Sequence, residues 1–206
     1  MTATIAIVDY GLGNLTSVAG AVERLGFAPR LAAEPAALET ADKYILPGVG
    51  AFGDGMAELR RRGLADALNR LVLGAGKPIL GICLGAQLLA RGSAEFGDHR
   101  GLGWLDAEVV RIEPTDTNLR VPHVGWNELR RKRDSVLFKN VPDDALFYYV
   151  HSFHIRGDDD VITGETDYGG PVTATVEKGR IYGTQFHPEK SQRHGLTVLR
   201  NFLEEG

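Results

Sequence analysis

The chain has 206 residues, with 43% hydrophobic and 24% charged, and a net charge of −4 from 23 Lys and Arg against 27 Asp and Glu. These are ordinary globular proportions, long enough to bury a substantial core, and one domain spanning 1–206 is the expectation. The acidic balance argues against a general nucleic-acid binder, and a single cysteine excludes an internal disulfide.

No stretch approaches the roughly 18 unbroken apolar residues of a membrane span. The opening Met1-Thr2-Ala3-Thr4 has neither a basic start nor an apolar run of signal length, so a cytoplasmic, reducing setting is expected. Ile5 to Val8 reads as a short buried strand. A glycine loop, Gly11-Leu12-Gly13-Asn14, leads from it into a helix with apolar positions Leu15, Val18, Val22 and Leu25. A dinucleotide fingerprint is a poor fit, because Thr16 stands at the third glycine position and Glu34 matches the ribose-binding acid only loosely. Phe27–Leu31 and Lys43–Leu46 read as the next strands, with helical segments between, and this alternation predicts an open, mostly parallel sheet flanked by helices.

Pro47-Gly48-Val49-Gly50-Ala51-Phe52-Gly53-Asp54-Gly55 follows, rich enough in glycine to cradle an anion or oxyanion, or simply to form a loop. A helical region through Met56, Leu59, Leu64, Leu68 and Leu71 comes next. The run Pro78-Ile79-Leu80-Gly81-Ile82-Cys83-Leu84-Gly85-Ala86-Gln87-Leu88-Leu89 then reads as a buried strand that turns sharply into a helix at Cys83. Glycines two residues before and two after the cysteine clear space for a tight strand-to-helix turn, the device behind the nucleophile elbow. From this stretch alone Cys83 is either a nucleophile or a small buried thiol. Beyond Gly97 the short segments 108–113, 121–129, 145–152, 161–165, 172–177 and 180–185 read as mixed or antiparallel strands, and a last amphipathic helix covers about 192–203. The cluster Arg130-Arg131-Lys132-Arg133 is most simply a solvated turn.

A cysteine nucleophile needs a base, and His187 in Gln185-Phe186-His187-Pro188-Glu189 has the best context. Pro188 biases His187 toward extended angles, and in an extended chain Glu189 shares its side. The carboxylate can then orient the ring and stabilise the imidazolium, which completes a nucleophile, base and orienter. His151 and His154 lack further ligands at metal spacing, and neither a metal nor any other cofactor is expected.

Taken together, Gly81–Gly85, Pro47–Gly50 and Gln185–Glu189 resemble the class I, triad-type glutamine amidotransferases. Asp9-Tyr10-Gly11-Leu12-Gly13-Asn14, Pro47–Asp54 and Pro122-His123-Val124-Gly125-Trp126-Asn127-Glu128-Leu129 look like the glutaminase subunits of imidazole glycerol phosphate synthase within that family. The resemblance implies a catalytic triad of Cys83, His187 and Glu189 that hydrolyses glutamine through a thioester. It further implies an oxyanion site at Val49, Gly50 and Leu84, and substrate contacts from Gln87, Glu95, Ser152 and Phe153. The implied partner is a cyclase subunit, a (β/α)8 barrel that receives ammonia for histidine biosynthesis, with Asn14, His123, Trp126 and Lys190 as interface residues. A stand-alone thiol hydrolase and a non-enzymatic binding protein are the competing readings.

Overall fold

The computed structural model describes residues 3–206; Met1 and Thr2, read above as part of a leaderless opening, lie outside the described residues. The first half alternates strand and helix. In order these are β1 (Ile5–Val8), α1 (Leu15–Arg24), β2 (Pro29–Ala32), α2 (Pro35–Glu39), β3 (Lys43–Gly48), α3 (Phe52–Arg61), α4 (Leu64–Leu68), β4 (Ile79–Cys83) and α5 (Leu84–Gln87). The second half is built mostly of strands: β5 (Gly92–Ser93), β6 (His99–Arg100), β7 (Ala107–Arg111), β8 (His123–Glu128), β9 (Arg130–Arg131), β10 (Leu146–His151), β11 (Phe153–Gly157), β12 (Ile162–Asp167), β13 (Pro171–Lys178) and β14 (Ile181–Thr184). The helix α6 (Gln192–Glu205) closes the chain.

The main sheet has eight strands in the order β2-β1-β3-β4-β14-β13-β12-β9. The first five are mutually parallel and the last three are added antiparallel. Segment 180–185, expected among the added strands, thus supplies the fifth parallel strand, beside β4. Strands β1, β3, β4 and β14 are buried along their whole length, because helices cover both faces. Successive side chains divide between two cores. Ile5 and Ile7 pack with Val18, Val22, Leu199 and Phe202 from α1 and α6, while Ala6 and Val8 pack with Leu59, Leu64 and Leu68 from α3 and α4. The remaining strands form a two-stranded ribbon, β10-β8, and a four-stranded sheet, β11-β7-β5-β6.

Two helices are shorter than their periodicity predicts. The helical region through Leu71 breaks at Gly63, whose φ of 68° is left-handed, and its end winds as a π-helix over Asn69–Gly74. The helix after Cys83 stops at Gln87, because N–H groups of Leu102, Gly103 and Trp104 take the carbonyls of Leu88, Ala90 and Leu89. Segment 102–105 competes for the acceptors that a longer helix would use.

Candidate active site

Cys83 ends β4 with φ 54° and ψ −112°, one of four non-glycine residues with positive φ among the described residues. Such a conformation costs on the order of 1–3 kcal/mol and persists only where the surroundings impose it. They do so here by close approach. A Cβ on Gly85 would stand 1.8 Å from the Leu46 carbonyl oxygen in β3, and one on Gly81 would stand 2.6 Å from the Ala86 Cα. The glycine pair lets the first turn of α5 sit directly on β3 and β4. This aims the Cys83 side chain at the carboxyl ends of the parallel strands, where open α/β sheets place their ligand crevices.

His187 leaves the end of β14 in an extended conformation, with φ −94° and ψ 97°, and Pro188–Lys190 forms a single 3-10 turn. The turn folds Glu189 back, so that its Oε1 lies 2.8 Å from His187 Nδ1. A turn, rather than the alternation of an extended strand, therefore brings the carboxylate to the ring. Both side chains are almost completely buried. Burial pushes the imidazole pKa down, but the Cys83 sulfur and the Glu189 carboxylate outweigh it and raise the pKa to about 9. His187 Nε2 is buried and makes no regular hydrogen bond among the described residues.

A cavity of about 290 Å3 opens over these groups, lined by Val49, Gly50, Cys83, Leu84, Gln87, Glu95, Val150, His151, Ser152, Phe153 and His187. This size is near the small end of ligand pockets. A larger groove, about 390 Å3, runs between β7, β11 and β13 and contains none of the three triad residues. Every catalytic, oxyanion and substrate residue named from the sequence lines the cavity except Glu189, which stands behind His187. Glu95 Oε2 accepts the Phe52 N–H at 2.8 Å, pinning the start of α3 beside the glycine loop. The Gln87 amide donates to the Phe153 carbonyl at 2.8 Å and to Gln185 Oε1 at 3.0 Å.

The four positions named as interface residues are not among those that line the cavity. Asn14 is exposed and caps α1 by accepting the Ser17 N–H at 3.2 Å. Trp126 is exposed, and the exposed Lys190 places its ammonium 6.0 Å from the centre of the Tyr148 ring. His123, expected at an interface, is 2% exposed and lies between the rings of Tyr149 and Tyr168, so it presents no surface in this structure. His151 lines the cavity, whereas His154 accepts the Thr173 N–H at 3.2 Å.

Two residues at the site fall inside the motifs quoted from the sequence but are given no role there. Gln185 places its amide nitrogen 3.7 Å from the Cys83 sulfur, and Tyr10 buries an unpartnered hydroxyl within 2.4 Å of where a Gly48 Cβ would be. The signal for Gln185 is its position two residues before His187, at the end of a strand. For Tyr10 the signal is its place after a buried strand, inside the Asp9–Asn14 motif.

The family model for class-I glutamine amidotransferases matches residues 6–205. The chain belongs to the class-I glutamine amidotransferase family. It is 47% identical to the imidazole glycerol phosphate synthase subunit HisH of Moorella thermoacetica, over 97% of this chain and 94% of that one. Identity to the HisH subunit of Methanothermobacter thermautotrophicus is 46%, over 97% and 98% of the two chains. A crystal structure of a glutamine amidotransferase from Thermotoga maritima shares the fold with a TM-score of 0.68 and 17% identity, covering 99% of this chain and 97% of that one. No helix among the described residues is long and apolar enough to cross a membrane.

Proposed function

We propose that the chain hydrolyses glutamine to glutamate and ammonia and passes the ammonia to a cyclase subunit that closes an imidazole ring in histidine biosynthesis. The observation that carries this reading is the buried alignment of Cys83, His187 and Glu189 beneath a cavity of amino-acid size. In the mechanism the thiol proton already rests on His187, whose pKa is raised to about 9, and the Cys83 sulfur attacks the side-chain amide carbon of glutamine. The oxyanion is received by the backbone N–H of Leu84 and by an N–H of the Val49–Gly50 loop, both in the cavity wall. His187 then gives its proton to the departing ammonia, and a water activated by the same ring hydrolyses the thioester. Glu189 holds the Nδ1 hydrogen throughout, so Nε2 always faces the reaction.

Glu95 has one carboxylate oxygen committed to Phe52, and the other is available to the substrate ammonium. The backbone of Ser152 and Phe153 forms the opposite wall, braced by Gln87. Ammonia released into neutral water would become ammonium and lose the lone pair that the ring closure needs. A partner seated at the cavity mouth prevents that loss.

The outer face of β8 and β10 supports such a seat. Val124, Trp126, Leu146 and Val150 are 55%, 46%, 44% and 37% exposed, and Val150 opposes Val124 while Tyr148 opposes Trp126 across the ribbon. An uncovered apolar stripe of this kind marks a protein interface. Val150 also lines the cavity, so a (β/α)8 barrel docked on the stripe would stand beside the source of ammonia, in a heterodimer. The test is a glutaminase and synthase assay of Cys83→Ala in complex with the cyclase. Glutamine-driven synthesis is lost and synthesis driven by added ammonium salt persists. Retained glutamine hydrolysis would remove Cys83 as the nucleophile.

A further inference from the structure

A buried line of side chains runs from β8 to the cavity wall. His151 Nδ1 lies 2.9 Å from the Phe153 carbonyl oxygen, and His123 Nδ1 lies 3.1 Å from His151 Nε2. The Asn127 amide nitrogen is 3.4 Å from His123 Nε2 and donates to the Asp167 carbonyl at 2.8 Å. The chemistry of the ends fixes every hydrogen between them. A carbonyl oxygen only accepts, so His151 Nδ1 carries a hydrogen. Burial lowers the pKa of His151 to about 3 and that of His123 to about 4, so both rings are neutral near pH 7. His151 Nε2 is then bare and must accept, which requires a hydrogen on His123 Nδ1. His123 Nε2 in turn accepts from Asn127.

The His123 ring has little freedom to aim elsewhere. It is stacked against Tyr168 at a centroid distance of 4.0 Å and against Tyr149 at 4.8 Å, with interplanar angles of 25° and 19°. At the other end of the line, the Phe153 carbonyl accepts from both His151 and Gln87, so two side chains hold this peptide of the cavity wall.

We propose that His123 is a positioning residue for the glutamine site: its donated hydrogen bond satisfies His151 Nε2 and fixes the ring whose other nitrogen holds the Phe153 carbonyl and the Ser152–Phe153 backbone in place. The inference rests on the functional reading of the cavity above. Without the donor at His123, His151 Nε2 becomes a buried acceptor with no partner. Moving the hydrogen to Nε2 gives no relief, since that hydrogen would have no acceptor, so the ring is no longer anchored from behind and turns toward other partners, and the peptide is released. The substrate then loses part of its wall while Cys83, His187 and Glu189 are untouched.

Two substitutions separate donation from packing. His123→Phe keeps a flat ring between the tyrosines and removes the donor, whereas His123→Asn places an amide N–H near the Nδ1 position and removes the stack. In the complex with the cyclase, His123→Phe is expected to raise the KM for glutamine about tenfold, the worth of one buried hydrogen bond, with kcat within about twofold. Synthesis from added ammonium salt should be unchanged, and His123→Asn should recover most of the lost KM. A wild-type KM in His123→Phe, or a larger defect in His123→Asn than in His123→Phe, would overturn the proposal. Long-range proton–nitrogen NMR of the wild-type chain gives a second readout that needs no variant. It should show both rings neutral and protonated on Nδ1 at pH 7, and an Nε2-protonated His151 would also overturn it. Absence of glutamine hydrolysis in the wild-type complex would instead sink the functional reading, and the NMR result would still decide the order of donors.

Discussion

Gly85→Ala tests whether the elbow is held by contact between backbones. The added Cβ would stand 1.8 Å from the Leu46 carbonyl oxygen and 2.7 Å from its carbonyl carbon, both in the buried strand β3. An ordinary Cβ contact begins near 3.4 Å, so α5 and β3 must part by more than 1 Å. Overpacking of this kind costs about 1–3 kcal/mol when side chains can adjust. Here the clash is with backbone, so the upper end applies, and the intrinsic helical advantage of alanine over glycine returns at most about 1 kcal/mol. A net loss of about 2–3 kcal/mol is expected from a total of about 5–15 kcal/mol. With a urea m-value of about 2–3 kcal/mol/M, the unfolding midpoint falls by about 1 M. Gly20→Ala in α1 is the control, because a Cβ there meets nothing within 4 Å and should stabilise by about 0.5–1 kcal/mol. If the midpoints of Gly85→Ala and wild type coincide while the control behaves, the close approach is not what holds the elbow.

Trp126→Ala should leave the free subunit folded, since the ring is half-exposed, and weaken cyclase binding about 30-fold or more by calorimetry; an unchanged Kd would remove the ribbon from the interface. Stability should peak near pH 7 and fall on both sides in urea titrations, for two opposite reasons. Burial depresses His123, His151 and His154 to about 4, 3 and 4, so between pH 6.5 and 4 the unfolded chain binds protons that the folded chain refuses, at a cost of about 1–2 kcal/mol per ring at pH 5. His187 is raised to about 9, so its contribution is complete below 6.5 and is lost as pH rises through 9. Equal stability at pH 5 and 7 would show that the three rings are not buried neutral.

The parallel half of the fold is legible because its signals are local. Continuous apolar strands, intervening helical periods and glycine turns each fix one element of the alternation, as at Ile5–Val8 and Leu15–Arg24. What fails to show is whatever depends on a distant competitor. The helix after Cys83 looks long until Leu102, Gly103 and Trp104 take its carbonyls, and the last strand looks peripheral until β4 takes it as a parallel neighbour. The resemblance names His123 as an interface residue, yet Tyr149 and Tyr168, tens of residues away in the chain, enclose it.

The site itself is marked by broken rules. Cys83 sits at a φ that its residue type avoids, and three of the six buried side-chain atoms without a regular partner among the described residues, Tyr10 Oη, His187 Nε2 and Glu189 Oε2, belong to this corner of the molecule. A chain selected only for stability would relieve both features, since a strained backbone and an unpaired buried polar atom each cost on the order of 1–3 kcal/mol. They persist because the surrounding contacts leave no room to relax: Gly48, Gly81 and Gly85 bring three stretches of backbone to within a side chain's breadth of each other. In the proposed mechanism His187 Nε2, unpaired in the resting chain, is the atom that exchanges a proton with sulfur, ammonia and water in turn, and a permanent partner would stop that exchange.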